Sequence, residues 1–144
     1  MTRQQTLDGI NAGPTIVNYA GHGSVDLWRA NVLTSQDAAT LGNSHLSVFT
    51  IATCLNGYFA DPFLPCLGRA LMSAPNGGAV AVIASSGINQ ANGQQELCRA
   101  YYAQQFNGRQ ATIGEALLRA KQATAAGDTR RTVILLGDPL TRLR

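Results

Sequence analysis

The chain has 144 residues, 45% hydrophobic and 13% charged, with a formal net charge of +3 and a pI near 9.0. This composition fits one domain, long enough to bury roughly two-thirds of the surface its unfolded chain exposes, and no apolar stretch approaches the ~20 residues of a membrane span. The positive charge comes from scattered arginines, several near the C-terminus (Arg130, Arg131, Arg142, Arg144), without a basic stripe interleaved with aromatics, which argues against nucleic acid as a partner.

Residues 1–12 read as the tail of a helix closed by Asn11-Ala12-Gly13-Pro14. A strand follows over 15–20. The crossover after it holds a short helix near 35–42, opened by Thr34 or Ser35 with Asp37 in its first turn and closed by Gly42-Asn43. The second strand, 47–53, is β-branched and apolar with little alternation, as a buried parallel strand is. The link of about two dozen residues suits a right-handed parallel crossover that sets the two strands side by side or nearly so. A helix over 63–73 shows an apolar stripe of Leu64, Leu67, Leu71 and Met72, with Pro65 tolerated in its first turn. The third strand, 79–84, runs into Ser85-Ser86-Gly87-Ile88-Asn89. Helices over 95–107 and 112–125 follow, the second opening on a capping box, Thr112-Ile113-Gly114-Glu115. A fourth strand, 132–136, ends in Gly137-Asp138-Pro139. There is no internal repeat, and the N-terminal residues lack an apolar signal core.

Chemically able side chains end two of these strands. His22 follows the first, inside Gly21-His22-Gly23, and Cys54 follows the second. In open α/β sheets reacting groups collect at the carboxyl ends of parallel strands. A cysteine nucleophile, a histidine, and the N–H groups of Gly23 and Cys54 aimed at an oxyanion would supply the parts of an acyl-transfer site. Singly, Cys54 reads as a small buried hydrophobe and His22 as a satisfied loop histidine; jointly, at consecutive strand ends, they favour the functional reading. The blander reading holds for Cys66 and Cys98, which lie on or beside helical apolar stripes. The three cysteines are an odd number without CxxC spacing, so neither a disulfide framework nor a zinc site is suggested. His45 precedes the second strand and so lies ~20 Å from the thiol end. Ser24 sits in no Gly-x-Ser-x-Gly elbow, and no phosphate-binding loop occurs. Asp26, Asp61, Glu96 and Asp138 read as caps or loop charges before they read as acidic partners of His22.

Taken together, Ile16-Val17-Asn18-Tyr19-x-Gly21-His22-Gly23-Ser24, Trp28, Thr53-Cys54 with Gly57 and Phe59, Gly78-Ala79-Val80-Ala81-Val82, Gly114-Glu115-Ala116 and Leu136-Gly137-Asp138-Pro139 resemble the gingipain-type cysteine peptidases of the caspase-like clan. The resemblance implies an α/β fold, a caspase-like three-layer αβα sandwich with a mainly parallel sheet, of which residues 1–144 form a single truncated domain lacking the first two strands. It implies a thiol endopeptidase acting on a protein or peptide substrate, with Cys54 as nucleophile, His22 as the acid that protonates the leaving amine, and Gly23 and Cys54 N–H groups holding the oxyanion. Ser85, Ser86 and Gly87 would wall the pocket for the residue before the cut, with contacts partly from the backbone. No cofactor is required, although similar peptidases bind structural calcium, and relatives are commonly secreted or displayed on the cell surface. In gingipain-type enzymes the acidic group that orients the histidine and the one that selects a basic side chain come largely from the missing portion, so substrate preference does not carry over. Without that portion the first strand is an open apolar edge that the rest of the domain or another chain must cover, and the isolated chain is expected to be poorly soluble or oligomeric. Two rival functions are a non-catalytic interaction or scaffold module and a sortase-like transpeptidase.

Overall fold

A computed structural model of the chain describes residues 2–107 and 111–143. Among these, four strands form one sheet in the order β1 (Ile16–Ala20), β2 (Ser47–Ala52), β3 (Ala79–Ser85) and β4 (Val133–Gly137). The first three are parallel and β4 runs antiparallel to β3. β2 and β3 are buried almost throughout, which explains why their sequences show no polar alternation.

Helices cover both faces. On one face Phe49, Ile51, Val82 and Ala84 pack with Ile10 of α1 (Arg3–Asn11), Ala38 of α2 (Ser35–Ala38), and Leu67 and Leu71 of α3 (Leu67–Met72). On the other, Ile83 and Val133 meet Leu97 and Tyr101 of α4 (Ala91–Gln105) and Ala116, Leu117 and Ala120 of α5 (Ile113–Ala123). Fully buried side chains of this size stabilise the fold by roughly 1.5–3 kcal/mol each. The result is a three-layer αβα sandwich with a mainly parallel sheet. The isolated bridges Gly23↔Trp28 and Leu27↔Thr34 fold the long β1–β2 connection back on itself.

Several boundaries depart from the sequence reading. α1 is capped at Thr2, whose hydroxyl takes the Gln5 N–H while the Gln5 side chain takes the Thr2 N–H. α2 is a single turn, Ser35–Ala38, spanned by its Thr34–Asp37 capping box, and so is shorter than the helix expected over 35–42. The helix expected over 63–73 begins only at Leu67, because Pro65 drives Leu64 out of the helical region and Cys66 becomes the N-cap, its sulfur accepting from the Arg69 N–H at 3.5 Å. Phe63 and Leu64 are therefore 94% and 42% exposed, outside the expected apolar stripe. α4 starts earlier, at Ala91, and Phe106 lies beyond its last residue, 62% exposed. At α5 only half of the capping box forms, since Glu115 turns to Arg119 at 2.6 Å while Thr112 accepts the Glu115 N–H. α6 (Gly127–Thr132), which runs directly into β4, has only Thr129 buried and therefore no apolar periodicity to reveal it.

Candidate active site

The β1–β2 register aligns the two strand ends. Every pair from Ile16↔Val48 to Ala20↔Ala52 is 32 residues apart, and His22 and Cys54 share that separation. Each therefore stands two residues past the last pair on adjacent parallel strands, whose spacing is about 4.8 Å. The Gly21 N–H still donates to the Ala52 carbonyl at 3.1 Å, so the alignment persists into the loop.

The His22 side is held from its backbone. The His22 carbonyl accepts the Tyr19 hydroxyl at 3.1 Å and the Arg29 N–H at 2.9 Å. Tyr19 stacks on Trp28 with ring centroids 4.1 Å apart, and Trp28 is 1% exposed. This clamp leaves the His22 side chain exposed.

Cys54 is half-buried, and its thiol donates to the Asn89 carbonyl at 3.7 Å. The next residue, Leu55, has φ +63°, a left-handed conformation that costs a non-glycine residue of order 1–3 kcal/mol. It is retained by the Leu55 N–H donating to the Gly87 carbonyl and by the Gly57 N–H donating to the Ser85 carbonyl at 2.8 Å. Among the described residues neither the Gly23 nor the Cys54 N–H has a hydrogen-bond partner.

One residue that the sequence reading passed over joins the two sides. Asn56 is wholly buried. Its Nδ2 donates to the carbonyls of Ser24 and, at 3.3 Å, of Leu27, while its Oδ1 accepts the Thr53 hydroxyl at 2.6 Å. Gly23 is packed against the same group: a Cβ there would lie 2.9 Å from the Leu27 carbonyl oxygen, 3.0 Å from Thr53 Oγ1 and 3.1 Å from Asn56 Oδ1. The only sequence signal was Asn56-Gly57, which reads as a turn.

The loop after β3 is locked to the start of β4. Ser85 is 1% exposed, its hydroxyl donating to the Gly87 carbonyl and accepting from Asn89 Nδ2 at 2.6 Å. The Thr132 hydroxyl donates to Asn89 Oδ1, and the Thr132 carbonyl accepts both the N–H and hydroxyl of Ser86. Ser85 thus spends its hydroxyl on Gly87 and Asn89 and Ser86 on Thr132. The backbone of Gly87 and Asn89 is what borders Cys54.

Beside His22 a cleft of about 740 Å³ lies between the β1 end and the first half of α4. Arg99 is its formal positive charge, and among the described residues no carboxylate lines it. On its floor Asn18 Oδ1 accepts from Thr50 at 2.9 Å and from Tyr102 at 3.0 Å. Burial raises the Tyr102 hydroxyl pKa against the lowering bond from Thr50, and burial also pushes up the Cys98 thiol. Cys98 borders the cleft, whereas Cys66 stays at the cap of α3.

Three of the remaining acidic candidates accept backbone N–H groups. Asp61 accepts the Leu64 and Phe63 N–H groups, which hold its carboxyl below the ordinary range. Glu96 accepts from the Ala125 N–H and Asp138 from the Leu140 N–H. Asp26 contributes its carbonyl to Ser35. His45 lies exposed at the opposite end of the sheet, against Gly13. Among the described residues no group of three or more His, Cys, Asp or Glu converges. No helix among them is long and apolar enough to cross a membrane.

Comparison with known proteins gives a consistent set of relatives. The profile of peptidase family C25 matches residues 1–144. Gingipain R2 of Porphyromonas gingivalis is 36% identical over 107 residues, covering 67% of this chain and 14% of that protein. Lys-gingipain W83 of the same organism is 31% identical over 77 residues, covering 54% of this chain and 4% of the relative. The crystal structure of the Arg specific cysteine proteinase gingipain R superposes with a TM-score of 0.84 at 29% identity, over all of this chain and 37% of that one. The chain therefore spans a minor fraction of these relatives' length.

Proposed function

Because the chain belongs to peptidase family C25, we propose that it carries the nucleophile-bearing part of a cysteine endopeptidase whose working pair is His22 and Cys54. The observation that supports this most is the shared 32-residue register, which sets both residues at equivalent places beyond adjacent strands.

In this mechanism Cys54 passes its thiol proton to His22 as Sγ attacks the scissile carbonyl carbon, forming a C–S bond and an oxyanion that the Gly23 and Cys54 N–H groups receive. Neither donor is committed elsewhere among the described residues, as an oxyanion site requires. The C–N bond then breaks as His22 gives a proton to the leaving amine. Water cleaves the thioester, releasing the acid and restoring the thiol. Gly87 and Asn89 form a wall beside the thiol through their carbonyls, with Ser85 and Ser86 shaping that wall from within. The Arg specificity named for gingipain R is no part of this proposal, because the described cleft supplies Arg99 and no carboxylate. A larger caspase-like catalytic domain, covering the β1 edge and lying outside the cytoplasm, is proposed on kinship alone.

Cys54→Ala tests the reading. Cleavage of a broad peptide library by the full protein should fall at least about a thousandfold, as loss of a covalent nucleophile does, with the far-UV spectrum intact. Unchanged cleavage would refute it.

A further inference from the structure

We propose that Asn56 is a positioning residue that sets the placement of His22 relative to Cys54; this rests on the peptidase reading above. It touches neither reacting side chain. Instead it binds the backbone that carries one and the side chain next to the other.

The chemistry of its contacts requires a carboxamide. Ser24 and Leu27 present carbonyl oxygens, which only accept, so the group facing them must be the NH₂ with its two donors. Thr53 presents a hydroxyl to the opposite side, where the amide oxygen accepts it. Aspartate would face two carbonyls with an oxygen, and serine lacks the reach to span both sides. Ser24 lies two residues after His22, and Thr53 immediately precedes Cys54. The span between the loops is thus bridged by one rigid, wholly buried side chain. Its own backbone is fixed as well, since the Asn56 N–H donates to the Cys54 carbonyl and the Asn56 carbonyl accepts the Gly68 N–H, both at 2.9 Å. Strand pairing ends at Ala20↔Ala52, so beyond that point the amide takes over the alignment of the two loops.

The test compares Asn56→Asp, Asn56→Ala and His22→Ala with the wild-type full protein. Four quantities are read: peptide cleavage, the iodoacetamide alkylation rate at Cys54 relative to Cys66 and Cys98, the Gly23 and Cys54 amide resonances, and thermal unfolding. In folded Asn56 variants kcat should fall about 10- to 100-fold with KM within about threefold, the signature of misplacement rather than lost binding. Cys54 alkylation in these variants should match that of His22→Ala, and the Gly23 and Cys54 amide resonances should shift together. A merely structural role would lower the unfolding temperature while leaving kcat and alkylation at wild-type values, and that result overturns the proposal. If neither variant folds, Thr53→Val removes a single hydroxyl at nearly constant shape; full kcat in Thr53→Val overturns the proposal, and about a tenfold loss at unchanged KM upholds it. Absence of cleavage in the wild type, with alkylation indifferent to His22→Ala, refutes the peptidase reading itself and takes this proposal with it.

Discussion

Residues 53–57 and 58–65 are consecutive, yet they are built by opposite means. In the first stretch Thr53, Asn56 and Gly57 are buried, and hydrogen bonds reach out to Ser24, Leu27, Ser85, Gly87 and Gly68. In the second, Phe59 and Phe63 are 58% and 94% exposed, and Asp61 binds only its own neighbours' N–H groups. The contrast separates local chain chemistry from placement. Prolines, an aspartate cap and one bond from the Ser35 hydroxyl to the Pro65 carbonyl shape 58–65, whereas the conformation of 53–57, including left-handed Leu55, has partners in three other segments.

The sharpest way to break the comparison, after loss of the Cys54 sulfur itself, is to crowd the knot. Gly23→Ala should lose about 1–3 kcal/mol of stability in urea unfolding, because its Cβ meets three oxygens at 2.9–3.1 Å. Cleavage should fall with it. A Gly23→Ala protein of wild-type stability would show that the loops are looser than these contacts require.

Acidification acts away from the knot, at the joint between α1 and α2. Burial pushes the Asp37 carboxyl up, but the Arg3 guanidinium and the Thr34 hydroxyl and N–H outweigh it, leaving the group below the ordinary carboxylate range. A lowered folded-state value means the stabilisation is complete above the unfolded carboxyl pKa, about 4, and is lost as pH falls through the folded value. Stability measured from pH 7 downward should therefore drop more in the wild type than in Asp37→Asn. Equal drops would show that the Arg3–Asp37 pair contributes nothing measurable, as exposed pairs often do.

The smallest effect is expected in the second stretch. Phe63→Ser should change stability by no more than about 0.5 kcal/mol, since the ring is already 94% exposed. Cleavage should be unaffected.

The strands over 16–20, 47–52 and 79–85 were legible to within about one residue, the second and third because uninterrupted β-branched and apolar runs suit strands buried on both sides. Helix edges were less so. Leu64 has the spacing of an apolar stripe, but the ring of Pro65 overrides periodicity, and α6 lacks any stripe. His22 and Cys54 could be singled out because their chemistry and their positions after apolar runs are local facts. Asn56 could not, because its partners Ser24 and Leu27 lie 32 and 29 residues away.

By itself the sequence determined the types of the elements other than α6, the parallel core, and the separation that places a histidine and a cysteine at the same end of adjacent strands. These follow from burial patterns and crossover length, which act along the chain. Only the tertiary structure decided that β4 runs antiparallel, that Ser85 turns inward, that Cys66 serves as a cap, and that a buried amide ties the two strand-end loops together. Apart from the Cys66 cap, whose Arg69 partner lies three residues on, each of these depends on where a hydrogen-bond partner from a distant segment lies, and buried polar groups take whichever partner the packed fold brings within reach.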